Sequence, residues 1–202
     1  MGQRNFTFFV VMIALFIYTL VPFPVAALDS RQEFLGSWLG RATPVDPRCE
    51  PGTEGCVIPK EIVMLFTVYA DGTFVGIDSQ TFGGGLHTTA HGEWILTGSK
   101  SFEATFTFLQ SDNGNFVGAF RNRMRAESVD HHSLEGQINA WFFPFTDENG
   151  LVILDPETGN FVPDPFQSFG EFITDSSQCR AEAGCFGIFR FSVRRVTPEL
   201  DR

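Results

Sequence analysis

The sequence predicts an all-β protein, a single antiparallel up-and-down barrel of about eight strands, and three observations carry that prediction. Between residues 88 and 143 the apolar and small residues fall almost entirely on even numbers: Ala90, Gly92, Trp94, Leu96; Phe102, Ala104, Phe106, Phe108; Gly118, Phe120, Met124; Leu134, Gly136, Ile138, Ala140, Phe142. Strand side chains alternate between faces, so these residues form one apolar face of a continuous sheet. Compact turn signals separate the runs, at Ala70-Asp71-Gly72, Gly98-Ser99-Lys100, Asp112-Asn113-Gly114-Asn115 and Asp130-His131-His132. No amphipathic helix of ordinary length is present to cover such a face. A sheet with one apolar face and nothing to lay over it buries that face by closing on itself, which also removes its edges.

The elements follow in order. Residues 1–27 read as a secretory signal: Arg4 supplies the positive start, Phe6 to Val21 the apolar run, and Val25-Ala26-Ala27 the small residues before cleavage. The domain proper is then 28–202. One helical turn over 31–35 leads into a strand at about 37–43. Strands follow at about 60–69 and 73–80, then a Gly-rich link, Phe82-Gly83-Gly84-Gly85. Four more run at about 88–96, 101–109, 116–126 and 133–143. A Pro- and Asp-containing stretch at about 147–167 precedes another strand near 168–174, and the last strand is 185–196.

Apolar patterning selects the pairing, because a one-residue slip sends every side chain to the wrong face. The expected partners are Met64 with Asp78, Phe66 with Gly76 and Val68 with Phe74 in the first hairpin, then Leu96 with Phe102 and Trp94 with Ala104. Further along, Phe106 is expected opposite Phe120, Phe102 opposite Met124, Phe120 opposite Ala140 and Gly118 opposite Phe142. The other face collects His91, Glu93, Glu103, Thr105, Thr107, Arg121, Arg123, Arg125, Glu135, Gln137 and Asn139, a wetted surface. There Arg123 is expected across from Glu103 and Arg125 across from Glu135, ion pairs worth about 0.2–1 kcal/mol each.

Composition bounds the partners. The whole chain carries a formal net charge of −10, and loss of Arg4 with the leader takes it to about −11. That balance argues against nucleic acid or an anionic membrane surface as partner. No second apolar run is long enough to span a bilayer, so no stable membrane span is expected after signal cleavage. Four cysteines in an exported chain point to two disulfides, and each local pair brackets a polar loop. Cys49–Cys56 and Cys179–Cys185 are the favoured staples, closing loops at about 44–58 and 176–185, with a cross-link between the two loops as the alternative.

Motifs for chemistry are sparse. His87, His91 and Glu93 form a His-x3-His-x-Glu set, but on a strand the two histidines lie about 13 Å apart, so no metal is expected. No nucleophile elbow, phosphate loop or dinucleotide fingerprint is present, and no cofactor is expected. The inward face is interrupted by the polar Asp78, Gln80 and Asn122. A buried unpaired carboxylate is costly, so Asp78 needs a hydrogen-bonding network, a place at the barrel mouth or a ligand. Small inward residues (Gly76, Ala90, Gly92, Ala104, Gly118, Gly136, Ala140) either leave space between the Phe rings or let the barrel coil.

Gly36-Ser37-Trp38, after a helical turn and at the start of the first strand, resembles the Gly-x-Trp signature of lipocalins. The resemblance implies that Trp38 closes the barrel floor and packs on a late arginine, Arg194 or Arg195. A broader resemblance covers about 60–140: Ala70-Asp71-Gly72-Thr73-Phe74, Thr89-Ala90-His91-Gly92-Glu93-Trp94 and Asn113-Gly114-Asn115-Phe116-Val117-Gly118 look like small exported bacterial calycin-like barrels. Allene oxide cyclase and dirigent-type barrels are similar in outline and would imply a lumen that steers cyclisation or coupling.

The functional expectation is an exported, periplasmic or extracellular barrel that binds a small, mostly apolar molecule in its lumen. Met64, Phe66, Phe74, Trp94, Phe106, Phe120 and Phe142 would line it, with Asp78, Gln80 and Asn122 as polar groups. The alternatives are a barrel cyclase or isomerase using Asp78 and Asn122, and a structural or interaction domain with a filled core.

Overall fold

A computed structural model describes residues 30–45, 47, 58–81, 87–112, 115–147, 151–154, 156, 157, 159, 171–181 and 184–197. The leader, the Cys49–Cys56 pair, the Gly83-Gly84-Gly85 link and most of the 147–167 stretch lie outside the described residues. Among those residues no helix is long and apolar enough to cross a membrane.

Eight strands close into one antiparallel up-and-down barrel, each paired with its neighbour in sequence and the first with the last. They are β1 (Gly36–Pro44), β2 (Ile62–Val68), β3 (Thr73–Asp78), β4 (Ala90–Gly98), β5 (Ser101–Asp112), β6 (Asn115–Asp130), β7 (Ser133–Pro144) and β8 (Cys185–Arg195). The architecture is compatible with a calycin-like fold. An eight-stranded barrel has an interior just wide enough to be filled by side chains or to hold one small ligand.

The alternation decides the faces. Ala90, Trp94, Phe102, Ala104, Phe106, Met124, Leu134, Ile138 and Ala140 are buried, whereas His91, Glu93, Arg125 and Glu135 are exposed. The first-hairpin and β4–β5 pairings are as expected, with Asp78 opposite Met64, Gly76 opposite Phe66 and Trp94 opposite Ala104. Two other registers differ by two residues. Phe106 faces Asn122 rather than Phe120, and Phe102 faces Ala126 rather than Met124. Phe120 faces Phe142 rather than Ala140, and Gly118 faces Pro144 rather than Phe142. The turns close at other residues than expected, on Asp112–Asn115 and Asp130–Ser133, and a one-residue irregularity beside each, between Gln110 and Ser111 and between Ser128 and Asp130, brings the offset to two. A bulge inserts one unpaired residue and displaces every later partner. A two-residue displacement preserves parity, so the inward set survives the altered register.

The ion pairs change with it. Glu103 holds both arginines, Arg125 Nε at 2.6 Å and Arg123 Nη2 at 3.0 Å, and Gln137 rather than Glu135 stands opposite Arg125. Nor is the outer face uniformly wet. Residues 171–175 form no strand but cross the outside of β7, where the Ile173 carbonyl accepts from Gln137 Nε2 at 2.6 Å and Asn139 Nδ2 at 3.0 Å. Asn139 is thereby wholly buried, and Phe172 lies under the Arg125 guanidinium. A short helix α1 (Ser176–Ala181) follows, tied to β8 by the Cys179–Cys185 disulfide. Trp141, Ile173 and Ile188 pack with both cysteines into a small apolar cluster outside the barrel wall.

Candidate functional site

Strand direction gives the barrel two unlike ends. The β2–β3, β4–β5 and β6–β7 connections are tight turns at one end. In the first of these, Gly72 takes a φ of 95°, and Asp71 accepts from Thr73 N at 2.9 Å. This end is closed. Trp38 and Phe34 are fully buried and linked by a 2.9 Å bond from Trp38 Nε1 to the Phe34 carbonyl. Phe34 meets Phe102 and Trp94 edge-on at centroid distances of 5.1 and 6.5 Å. Arg195, not Arg194, is the late arginine over Trp38, 4.2 Å from the ring centroid. Its guanidinium donates to the carbonyls of Leu35, Glu33 and His131, which fastens the helical turn at 30–32 across the floor.

Trp94 therefore sits elsewhere than the sequence reading placed it. It belongs to this floor, donating to the Tyr69 carbonyl at 2.8 Å, and it is not among the residues around the cavity. The error has a simple origin: alternation tells inward from outward but not how far along the barrel axis a residue sits.

Above the floor lies a cavity of about 640 Å³. Met64, Phe66, Phe74, Asp78, Gln80, Phe106, Phe120, Asn122 and Phe142 all line it. Its wall is aromatic: Phe74 stacks on Phe106 at 4.7 Å and Phe108 on Phe120 at 5.1 Å. Sequence reasoning put Phe108, Ile138 and Ala140 on the inward face without naming them as site residues, and their even numbers were the available signal. Phe186 and Phe189 also line the cavity. Phe186 escaped because the β7–β8 pairing shifts between Ala140 and Trp141, and Phe189 because no expected pairing extended to the last strand, where Phe189, Phe191 and Val193 are buried on odd numbers.

Polar groups stand at two levels. At the mouth, beside the ends of β3 and β5, Asp78 and His87 meet with Nε2 to Oδ1 at 3.0 Å. His87 Nδ1 faces the Thr88 carbonyl at 2.8 Å, and Gln80 N donates to the same Asp78 oxygen at 2.8 Å. Both imidazole nitrogens thus face acceptors, which suits the doubly protonated ring. Burial pulls the His87 pKa down, but the bond to Asp78, the Thr88 carbonyl and the Asp78 charge outweigh it, and the net shift is upward. The ring also lies against Phe108 at 4.3 Å. The sequence grouped His87 with His91 and Glu93, yet His87 is buried at the cavity while the other two are exposed on the outer face. Among the described residues no cluster of three His, Cys, Asp or Glu could hold a metal ion.

Asn122 stands deeper, on β6 between Phe106 and Ala140. It is 4% exposed, and its Nδ2 is sealed from solvent without a hydrogen-bond partner.

In comparisons with known proteins, no family model matches the chain, and no curated protein or solved structure matches it significantly. The class rests on the barrel alone: closed, eight-stranded, antiparallel, with a plugged floor and an aromatic cavity above it.

Proposed function

We propose that this barrel captures a small, mostly apolar molecule in its interior. The supporting observation is the cavity of about 640 Å³ walled by phenylalanine rings, which falls within the roughly 300–1,000 Å³ typical of small-molecule sites. Burial of apolar ligand surface drives capture at about 25 cal/mol per Å². The aromatic wall supplies shape, and the few polar groups supply orientation. The apolar N-terminal run and the Cys179–Cys185 bridge support export to an oxidising compartment, periplasmic or extracellular.

The test uses N-phenyl-1-naphthylamine, a neutral dye whose emission rises in apolar surroundings. A saturable rise with one site per chain is expected. The Ala140→Phe variant, which places a ring inside the cavity, should lose that rise while keeping a cooperative melt. No saturable rise with the wild-type protein overturns the reading.

A second reading, a cyclase or isomerase, draws support from the His87–Asp78 pair, an acid–base couple at the mouth of a largely apolar chamber. It predicts that Asp78→Asn abolishes turnover of a cyclisable substrate; unchanged turnover removes Asp78 from that role.

A further inference from the structure

We infer that the preferred occupant of the cavity is an uncharged molecule bearing one hydrogen-bond acceptor, a carbonyl oxygen, held at mid-depth by the Asn122 amide. The inference rests on the binding reading above and sharpens it to a chemical class.

Three observations converge. The first is the orphan donor. Buried amide N–H groups are nearly always paired, because leaving one unmade costs about 1–3 kcal/mol. Asn122 Nδ2 is the one buried side-chain nitrogen or oxygen among the described residues that lacks a partner, and Asn122 is one of the residues that line the cavity. An acceptor that reaches it recovers that cost in a way a pure hydrocarbon does not.

The second is the charge of the lining. Among the described residues around the cavity the only ionisable groups are Asp78 and His87, and they satisfy each other. A carboxylate or phosphate seated at mid-depth would find no lysine or arginine, and burying such a charge unpaired is prohibitive. A cationic head would find the Asp78 carboxylate already engaged by His87. Neutral ligands escape both penalties.

The third is the setting of the amide. Asn122 lies across from Phe106 on one side and the small Ala140 on the other. Phe106 in turn stacks on Phe74. A flat ligand body that packs against these rings brings a substituent on its edge towards the β6 wall. A carbonyl conjugated to an aromatic system has that shape, with its oxygen in the ring plane.

The experiment compares 9-fluorenone with fluorene, one carbon skeleton with and without the carbonyl, by competition against N-phenyl-1-naphthylamine. The wild type and Asn122→Leu are titrated with both. The quantity read is the ratio of the two Kd values, in which ligand solvation cancels between proteins. Loss of Asn122 should reduce the preference for fluorenone about tenfold, while fluorene binding holds or improves. Independently, the infrared carbonyl band of fluorenone bound to the wild type should shift to lower frequency than in alkane solvent. That measurement decides the matter alone if Asn122→Leu fails to fold. Fluorene-9-carboxylate should bind more weakly than fluorenone.

Equal preference in both proteins with an unshifted carbonyl band overturns the inference and leaves the binding reading standing. Tighter binding of the carboxylate overturns the requirement for a neutral ligand. Failure of fluorenone to displace a bound dye overturns the inference and leaves the binding reading standing, whereas failure of the dye itself to bind overturns the binding reading and takes the inference with it.

Discussion

Arg195 offers the sharpest test of how the floor is held. Replacing it with Met keeps much of the aliphatic length and removes the charged fork. Three carbonyl contacts disappear: to Glu33 at 2.5 Å, to His131 at 3.0 Å and to Leu35. The guanidinium also leaves the Trp38 ring, over which it sits at 4.2 Å. A hydrogen bond from a charged donor contributes about 1.5–3 kcal/mol when its acceptor is left dry, and less when water replaces it. The site is half-buried, so water re-solvates part of what is lost. The cation–π contact adds about 0.5–2 kcal/mol. The variant should therefore lose about 2–4 kcal/mol, or about 4–16 °C in Tm for a domain of this size. Urea unfolding followed by tryptophan emission reads it directly, because Trp38 and Trp94 both lie in the floor. Arg194→Met, on the exposed neighbour, should change stability by less than about 0.5 kcal/mol. A loss below about 0.5 kcal/mol in Arg195→Met, or equal losses in the two variants, would refute the claim that this arginine fastens the floor.

Two further outcomes follow from the geometry. Gly92→Ala places a Cβ 2.0 Å from the Thr105 carbonyl oxygen and 2.6 Å from Phe106 Cα, both backbone atoms that cannot swing aside, so β4 and β5 must part. A loss of about 3 kcal/mol or more, or insoluble expression, is expected, and a melt within a few degrees of wild type would contradict the strand approach. His87 predicts a pH dependence: its folded pKa is raised, so its contribution to stability is full below about pH 6.5, the ordinary histidine value, and fades as pH climbs through the higher folded value. Urea midpoints of wild type and His87→Gln should therefore converge from pH 6 towards pH 9, and in Asp78→Asn the NMR-titrated His87 pKa should fall; divergence with rising pH reverses the sign and sinks the assignment.

What was legible in the sequence was parity, and what was not was position along the barrel axis. From Ala90 to Phe142 the even numbers face inward, because alternation is a local property of extended chain. Exact partners across the β5–β6 and β6–β7 hairpins were not legible, since each depends on which residues close the turn and on one irregularity beside it, and no local pattern announces either. The same limit explains Trp94, inward as expected but consigned to the floor. It also explains the His87–Asp78 pair. Their nine-residue separation spans a turn and a Gly-rich link, so only the folded barrel brings them to 3.0 Å. Gln137 and Asn139 looked solvated because nothing in their own strand indicates that the carbonyl of Ile173 will cover them.

Floor and cavity use one alternating pattern, and what separates them is how many bulky groups converge at one level. At the floor, bulky groups arrive from several elements at one level: Trp38 from β1, Trp94 from β4, Phe102 from β5 and Phe34 from the helical turn, all at most 2% exposed. Cross-strand pairs alone do not make the difference, since large meets small at the floor, Trp94 opposite Ala104, as it does higher up, Phe66 opposite Gly76; what the floor adds is the Phe34 ring from outside the sheet, packed on Trp94 and Phe102. A solid core would need the missing volume filled, because an unfilled cavity costs about 24 cal/mol per Å³ of residual space when made by truncation. Ala140→Leu and Gly76→Ala should therefore stabilise the empty barrel, read as a higher urea midpoint, while weakening dye capture. An aromatic wall left open around an unpaired amide is the arrangement expected where space is kept for an occupant, and the same small residues that lower the stability of the empty barrel are the ones that admit it.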